Sequence, residues 1–225
     1  MKNNLLKRSI TSLFLIAILC FSLFYSDYSW KTLVIFFSLL CLYEFYNLVN
    51  KIHRSKIFTT ILFFLICLYF YFFYFLLIRI KIEFGEEVIL ILLATCIFSD
   101  IGGYVVGKLF GGPKLTSISP NKTISGAVGS IIFSILGTSL FILFLNKIDK
   151  NFIIFEFSLA ICIWQLSMSI ICQLGDLLVS YLKRKARVKD TGNLLPGHGG
   201  ILDRVDGIIF AIPFGILIYS YLGLS

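Results

Sequence analysis

The chain alternates between long apolar segments and short polar connections. The apolar segments lie at approximately 9–26, 32–50, 57–78, 87–109, 125–145, 152–179 and 206–224. A segment of roughly 20 apolar residues is long enough to cross the hydrocarbon core of a bilayer as an α-helix. The fourth segment has the weakest pattern, because Ser99, Asp100, Gly102 and Gly103 interrupt it. The pattern predicts an all-α, polytopic integral membrane protein with about seven transmembrane helices.

Composition supports this fold class. Of the 225 residues, 58% are hydrophobic and 14% are charged, and the mean hydropathy is +0.94. Soluble domains contain about 25% charged residues, and a soluble domain of this size could not bury so many apolar side chains. These values argue against a soluble domain, a disordered chain and a disulfide scaffold. The length leaves no room for a separate extramembrane domain, so any chemistry is expected on the membrane helices and their loops.

The distribution of basic residues predicts the orientation. With the N-terminus in the cytoplasm, the connections at 51–56, 108–122 and 183–204 face the cytoplasm and contain most of the 20 Lys and Arg residues. This is the bias that the positive-inside rule describes. The net charge of +8 also suits an anionic lipid or an anionic substrate. Nucleic acid is a poor alternative, because the basic residues flank membrane segments.

Polar residues are concentrated in two regions, 99–126 and 173–207, and both are expected at the cytoplasmic ends of helices. In the second region, Asp176, Ser180 and Lys183 are spaced i, i+4, i+7 and share one helix face. Asp203 and Asp206 are three residues apart at the start of the last segment and also share a face. A loop that contains Gly, Pro and several cations lies between these two groups.

These residue types in this pattern suit phosphate chemistry. Several carboxylates without cysteine favour a hard cation such as Mg²⁺, and Lys and Arg beside them favour phosphate. A glycine-rich loop lets backbone N–H groups approach anionic oxygens. The pattern predicts metal-assisted phosphoryl or nucleotidyl transfer at a membrane surface. A cytoplasmic loop with ordinary helix caps would explain the cations, but not Asp176, which has apolar residues on both sides.

A longer motif narrows the chemistry. The stretch 180–206 fits S-x-apolar-K-R, four residues, K-D-x-G, two residues, apolar-P-x-H-G-G-apolar-x-D-R-apolar-D. The fixed positions are Ser180, Lys183, Arg184, Lys189, Asp190, Gly192, Pro196, His198, Gly199, Gly200, Asp203, Arg204 and Asp206. This stretch resembles the signature of the phosphatidate cytidylyltransferase (CDP-diacylglycerol synthase) family. Gln173 and 175–177, the region 100–123 and the pair Glu44–Phe45 extend the resemblance.

The resemblance implies a reaction: CTP and phosphatidate give CDP-diacylglycerol and pyrophosphate, by metal-assisted attack of the lipid phosphate on the α-phosphorus of CTP. It implies Mg²⁺ as cofactor, and a second cation such as K⁺ is left open. The implied metal ligands are Asp176, Asp203 and Asp206, although Asp206 has the alternative role of holding Arg204. The implied catalytic residues are Asp176, Lys183, Arg184, Asp203, Arg204 and Asp206. The implied substrate-binding residues are Gln173, Ser180, Lys189, His198, Gly199, Gly200, Asp100 and Lys122.

Several roles have alternatives. Asp100 either belongs to the site or packs against a cation such as Lys122. Lys122 itself either contacts substrate or is present only because of the positive-inside rule. Asp190 either takes part in the site or forms a salt bridge or loop cap. Glu44 either has a direct catalytic role or pairs with a buried cation or polar helix. Each alternative follows from the high energy of a polar group inside a membrane protein.

The chain also departs from the family pattern. Ser125 stands where the family usually has Glu, so a carboxylate near the phosphates is lost, and Gly207 stands where the family often has Ser. The chain is short for the family, which predicts that one or two N-terminal helices are missing. The expected division is a scaffold for lipid access at 1–80 and a catalytic membrane domain with a cytoplasmic-side polar site at 81–225.

Other functions remain as alternatives. They are a CTP-dependent polyprenol or phytol kinase, an inactive relative, and a cation transporter that uses Asp100, Asp176 and Glu44. The expected partners are CTP, phosphatidate and membrane lipid, without nucleic acid, and a homodimer is left open. The expected location is a bacterial inner membrane, with the active site on the cytoplasmic side.

Overall fold

Most of the described residues are in helices. The computed structural model describes residues 2–52, 55–148, 158–195 and 199–222. Its helices are α1 (Lys2–Tyr25), α2 (Asp27–Ile52), α3 (Lys56–Phe110), α4 (Ile124–Ile148), α5 (Leu159–Lys185) and α6 (Leu202–Tyr221). Within the described ranges, the β-type pairing consists of two isolated bridges, Lys114 with Thr123 and Leu195 with Gly199. The predicted all-α class is confirmed.

Helix α3 contains both the third and the fourth predicted segments. The two parts meet at Gly85, whose backbone has φ 83° and ψ 176°. Residues with a side chain rarely adopt this conformation, so glycine permits the break. Among the described residues, four helices (α2, α3, α4 and α5) are long and apolar enough to cross a membrane, and the Ile10–Tyr25 part of α1 is a shorter apolar helix. The protein is therefore an integral membrane protein, and seven spans and the predicted orientation stay predictions.

Two compact units make up the chain. The first contains Met1–Glu86 and Leu182–Val205, and the second contains Glu87–Tyr181 and Asp206–Ser225. The predicted division into a scaffold at 1–80 and a catalytic domain at 81–225 concerns function rather than these units, and it stays a prediction. Each unit contains a cluster of charged side chains in otherwise apolar surroundings.

In the first unit, α2 has a continuous buried face. Val34, Cys41, Phe45 and Leu48 lie on it at helical spacing. The Phe45 ring meets the Phe70 ring of α3 edge to face, with 6.4 Å between the ring centroids. Glu44 lies on the same buried part of α2 and is a charged residue among apolar neighbours.

The second unit explains the polar and small residues of the fourth predicted segment. Ser99 Oγ of α3 lies 2.8 Å from Ser169 Oγ of α5, and both residues are fully buried. A Cβ at Gly102 would overlap the backbone of Gly129 on α4, and one at Gly103 would lie 2.5 Å from Ser130 Oγ. Small residues that let helix backbones approach, and hydroxyl pairs between helices, are typical of packing inside membranes. The interruption of the apolar pattern is therefore an adaptation for helix packing.

Candidate active site

In the second unit, Asp176 of α5 is the centre of a polar cluster. Its Oδ2 pairs with Lys122 Nζ, and its Oδ1 accepts a hydrogen bond of 3.2 Å from Ser180 Oγ. Ser180 is one turn further along α5, so the predicted shared helix face is confirmed for this pair. The side chains of Lys122 and Asp176 are 26% and 31% exposed. Both charged side chains are therefore partly accessible.

The loop between α3 and α4 holds Lys122 in place. Gly111 and Gly112 turn the chain after α3, with φ of 59° and 106°. The N–H of Leu115 donates to the carbonyl of Lys122 at 2.8 Å, which closes the loop on itself. At the start of α4, Thr123 Oγ1 accepts a hydrogen bond of 3.1 Å from the N–H of Gly126, as a helix N-cap does.

Ser125, the residue that replaces the family's usual Glu, contributes to this loop. Its hydroxyl donates to the carbonyl of Gly111 and lies 3.0 Å from Thr123 Oγ1. The side chain therefore connects the beginning of the loop to the first turn of α4. The sequence pattern marks Ser125 only as a lost carboxylate and does not predict this structural role.

Three other predicted residues belong to the second unit: Gln173 on α5 itself, Asp206 on α6 and Asp100 on α3. Gln173 Nε2 donates to Ser169 Oγ at 3.4 Å and to the carbonyl of Ala127 at 3.5 Å. The backbone of Asp206 lies against α5, since a Cβ at Gly175 would be 2.8 Å from the Asp206 carbonyl oxygen. Asp100 follows Ser99 on α3, and Ser99 Oγ lies 2.8 Å from Ser169 Oγ of α5. Gln173 and Asp176 therefore lie on the part of α5 that the Asp206 backbone approaches, and Asp100 belongs to the same unit.

In the first unit, Asp203 of α6 has several protein donors. Lys183 Nζ lies 2.7 Å from its Oδ1. Its Oδ2 accepts hydrogen bonds from the N–H of Thr191 at 2.8 Å and from the N–H of Gly200 at 3.0 Å. Burial raises the pKa of Asp203, but the hydrogen bonds from Lys183, Thr191 and Gly200 outweigh burial and leave that pKa below its ordinary value. Asp203 is thus held in its ionised form.

Glu44 belongs to the same cluster. Its carboxylate accepts hydrogen bonds from the N–H of Ile201 at 3.0 Å, the N–H of Leu202 at 2.9 Å and the hydroxyl of Thr191 at 2.8 Å. Of the alternatives for Glu44, pairing with a polar helix agrees best with this arrangement, because the partners of its carboxylate are backbone N–H groups at the start of α6. The signal in the sequence was an acidic residue inside an apolar segment, but its partners were not predictable.

The remaining predicted residues are four cationic or histidine side chains and two glycines. Arg184, Lys189 and Arg204 are exposed. Gly199 has a positive φ of 84°. Its carbonyl accepts a hydrogen bond of 2.9 Å from the N–H of Leu195. The N–H of Gly200 donates a hydrogen bond to Asp203. His198 lies outside the described residues.

The predicted Mg²⁺ ligands Asp176 and Asp203 differ in how accessible their carboxylates are to a metal ion. Among the described residues, no three His, Cys, Asp or Glu side chains are grouped as a metal site. Mg²⁺ needs no such group, because it is often bound by one or two carboxylates together with substrate phosphates and water. Asp176 fits this chemistry, since its carboxylate is partly exposed and has a lysine and a hydroxyl as partners. Asp203 is more enclosed, with a side chain that is 6% exposed.

The fold and these clusters define an all-α integral membrane protein in which carboxylates lie next to lysines, with Asp176 beside Lys122 and Asp203 beside Lys183. Residues 51–222 match the sequence profile of the cytidylyltransferase family, and the chain belongs to that family. The predicted family resemblance is therefore confirmed. Glu44 lies before the matched range.

Curated relatives agree with the family. The chain is 39% identical over 139 residues to a phosphatidate cytidylyltransferase of Helicobacter pylori, an alignment that covers 61% of this chain and 49% of the relative. It is 40% identical over 136 residues to the Brucella suis enzyme of the same name, covering 60% and 47%. It is 44% identical over 117 residues to the Bacillus subtilis enzyme, covering 52% and 41%. The chain thus aligns with about half the length of these relatives.

Proposed function

We propose that the protein transfers the CMP group of CTP to phosphatidate and forms CDP-diacylglycerol. The observation that carries the proposal is the Asp176–Lys122 pair, in which a partly exposed carboxylate of α5 lies beside a lysine of the loop between α3 and α4. The names of the curated relatives support the choice of reaction. The complete signature at 180–206 supports it independently.

In the proposed reaction, a phosphate oxygen of phosphatidate forms a bond to the α-phosphorus of CTP. The bond between the α-phosphorus and the oxygen that bridges to the β-phosphorus breaks, and pyrophosphate leaves with that oxygen. Lys122 and Lys183 neutralise charge on the phosphates, because ammonium groups bind phosphate oxygens strongly. Bound Mg²⁺ would supply further neutralisation of the phosphate charge.

The remaining assignments follow the family pattern. Asp176, Asp206 and Asp203 are proposed to bind Mg²⁺, with the enclosed Asp203 requiring rearrangement of its present donors. Arg184, Lys189 and Arg204 are proposed to contact the phosphates. The proposed substrate-binding residues are Gln173, Ser180, His198, Gly199, Gly200 and Asp100. A second cation such as K⁺ and a homodimer stay open.

The proposed setting is a bacterial inner membrane with the N-terminus and the active site on the cytoplasmic side. The number of spans is proposed as seven, with the break at Gly85 separating two of them. This orientation gives CTP access from water and phosphatidate access from lipid. The charge distribution supports it, because the connections with most Lys and Arg are then cytoplasmic.

Two radiolabelled forms of CTP test the reaction. The purified protein is incubated with phosphatidate, Mg²⁺ and CTP labelled at either the α- or the γ-phosphorus. Transfer of α-label into a chloroform-soluble product, without γ-label, is expected. A CTP-dependent lipid kinase would instead transfer the γ-label to a polyprenol or phytol acceptor. If the wild-type protein transfers no more α-label to phosphatidate than an incubation without protein, the proposed activity is wrong.

A further inference from the structure

Glu44 is buried in a position where a carboxylate is energetically costly. It lies on the buried face of α2 with Cys41, Phe45 and Leu48 as neighbours on the helix, and it is 1% exposed. Removing a charged group from water costs several kcal/mol unless other groups compensate for the lost hydration. The structure must therefore provide partners for this carboxylate.

Those partners come from the start of α6. The first backbone N–H groups of a helix have no acceptor within the helix, and the positive end of the helix dipole attracts a negative charge. Glu44 accepts the N–H groups of Ile201 and Leu202. A side chain of α2 thus acts as the cap of α6, although more than 150 residues separate them along the chain.

The third partner connects Glu44 to the charged pair of the signature. Thr191 Oγ1 lies 2.8 Å from Glu44 Oε2 and 3.0 Å from Asp203 Oδ2. Because a hydroxyl has one proton, it donates to one carboxylate at a time. Glu44, Thr191, Asp203 and Lys183 nevertheless form a continuous chain of contacts inside the first unit.

Two signature glycines provide the space for this carboxylate. A Cβ at Gly192 would lie 2.5 Å from Glu44 Oε1. A Cβ at Gly200 would overlap Glu44 Oε2 and Thr191 Oγ1. Glycine at both positions therefore lets the loop close on Glu44, a role separate from letting the backbone approach a phosphate.

We propose that Glu44 is a positioning residue for nucleotide transfer. It fixes the start of α6 and the loop at Thr191, and thereby places Asp203 and Lys183 for the substrate phosphates. This inference rests on the proposed function only for the identity of the substrate. The hydrogen-bond network that carries it is independent of that function.

The test uses Glu44→Gln, Glu44→Asp and the wild type, with Cys41→Ala as the matched control. Cys41 is also buried on α2 and lies about one turn before Glu44. Hydrogen exchange of peptides that cover residues 190–202 is measured on each purified protein. We expect Glu44→Gln to accelerate exchange at Ile201 and Leu202 by about tenfold or more, because the amide that replaces the carboxylate loses an acceptor. Cys41→Ala should leave exchange in this region at the wild-type rate.

Steady-state kinetics with CTP provide the second measurement. We expect Glu44→Gln to raise the KM for CTP by about tenfold, in the range found for residues that orient a site through others, with partial recovery in Glu44→Asp. A purely structural role would lower the fraction of folded enzyme and the maximal rate, but it could not change KM. Wild-type exchange, or accelerated exchange with an unchanged KM, would overturn the proposal. If the wild type transfers no CMP, the proposed function and the catalytic part of this inference are both wrong. The hydrogen-exchange result would still decide whether Glu44 holds the loop.

Discussion

Lys183 Nζ lies 2.7 Å from Asp203 Oδ1, which joins the last turn of α5 to the first turn of α6 within the first unit. The two residues are 20 positions apart, and both are fixed positions of the signature. Their side chains are 15% and 6% exposed. Removing one partner of so enclosed a pair leaves a charge with incomplete compensation.

Lys183→Met is therefore expected to destabilise the protein by up to about 3 kcal/mol, because Asp203 keeps only its neutral donors. Thermal unfolding of the detergent-solubilised protein measures the effect. In the double variant with Asp203→Asn, the loss of stability should be smaller than the sum of the losses in the two single variants. Lys185→Met, at an exposed position of the same turn, is the control. Additive losses would show that the two side chains do not stabilise each other.

Asp176→Asn is expected to reduce transfer of CMP to phosphatidate by about 100-fold or more, since it removes the partly exposed carboxylate beside Lys122. The α-labelled lipid product measures the rate. Lys122→Met should raise the KM for CTP, because one cation near the phosphates is lost. Glu83→Gln, which changes an exposed acid in α3, should have wild-type activity. Activity of Asp176→Asn close to wild type would remove Asp176 from the catalytic residues.

Ser125→Glu tests the departure from the family pattern. If the lost carboxylate weakened a metal contact, the substitution should lower the Mg²⁺ concentration that gives half-maximal activity. Ser125→Ala is the control, because it removes the hydrogen bond to Gly111 without adding charge. That control should cost about 1 kcal/mol of stability. An unchanged Mg²⁺ requirement in Ser125→Glu would leave Ser125 with a structural role alone.

Gly192→Ala should destabilise the protein by about 1–3 kcal/mol, because the new methyl group would be 2.5 Å from Glu44 Oε1 and the loop would have to move. The same substitution should cost less in a Glu44→Ala background, where the space is free. The two single variants and the double variant form a thermodynamic cycle measured by thermal unfolding. Equal costs in both backgrounds would show that Gly192 is not needed to accommodate Glu44.

The sequence alone predicted the apolar helices α2 to α5, because apolar segments and their lengths are local properties of the chain. It also predicted the chemistry of Ser180–Asp206, and the spacing of Asp176 and Ser180 predicted their contact, since residues four apart on a helix are neighbours. The family match at 51–222 confirmed the resemblance.

Only the tertiary structure decided which distant polar groups became partners. The apolar pattern marked Ser99, Gly102 and Gly103 as an interruption, but not as contacts with α4 and α5. Likewise, nothing near Glu44 in the sequence indicated that α6 would supply its hydrogen bonds. Helix formation depends on neighbouring residues, whereas the compensation of a buried charge depends on the register in which distant helices pack. That register is a property of the folded chain.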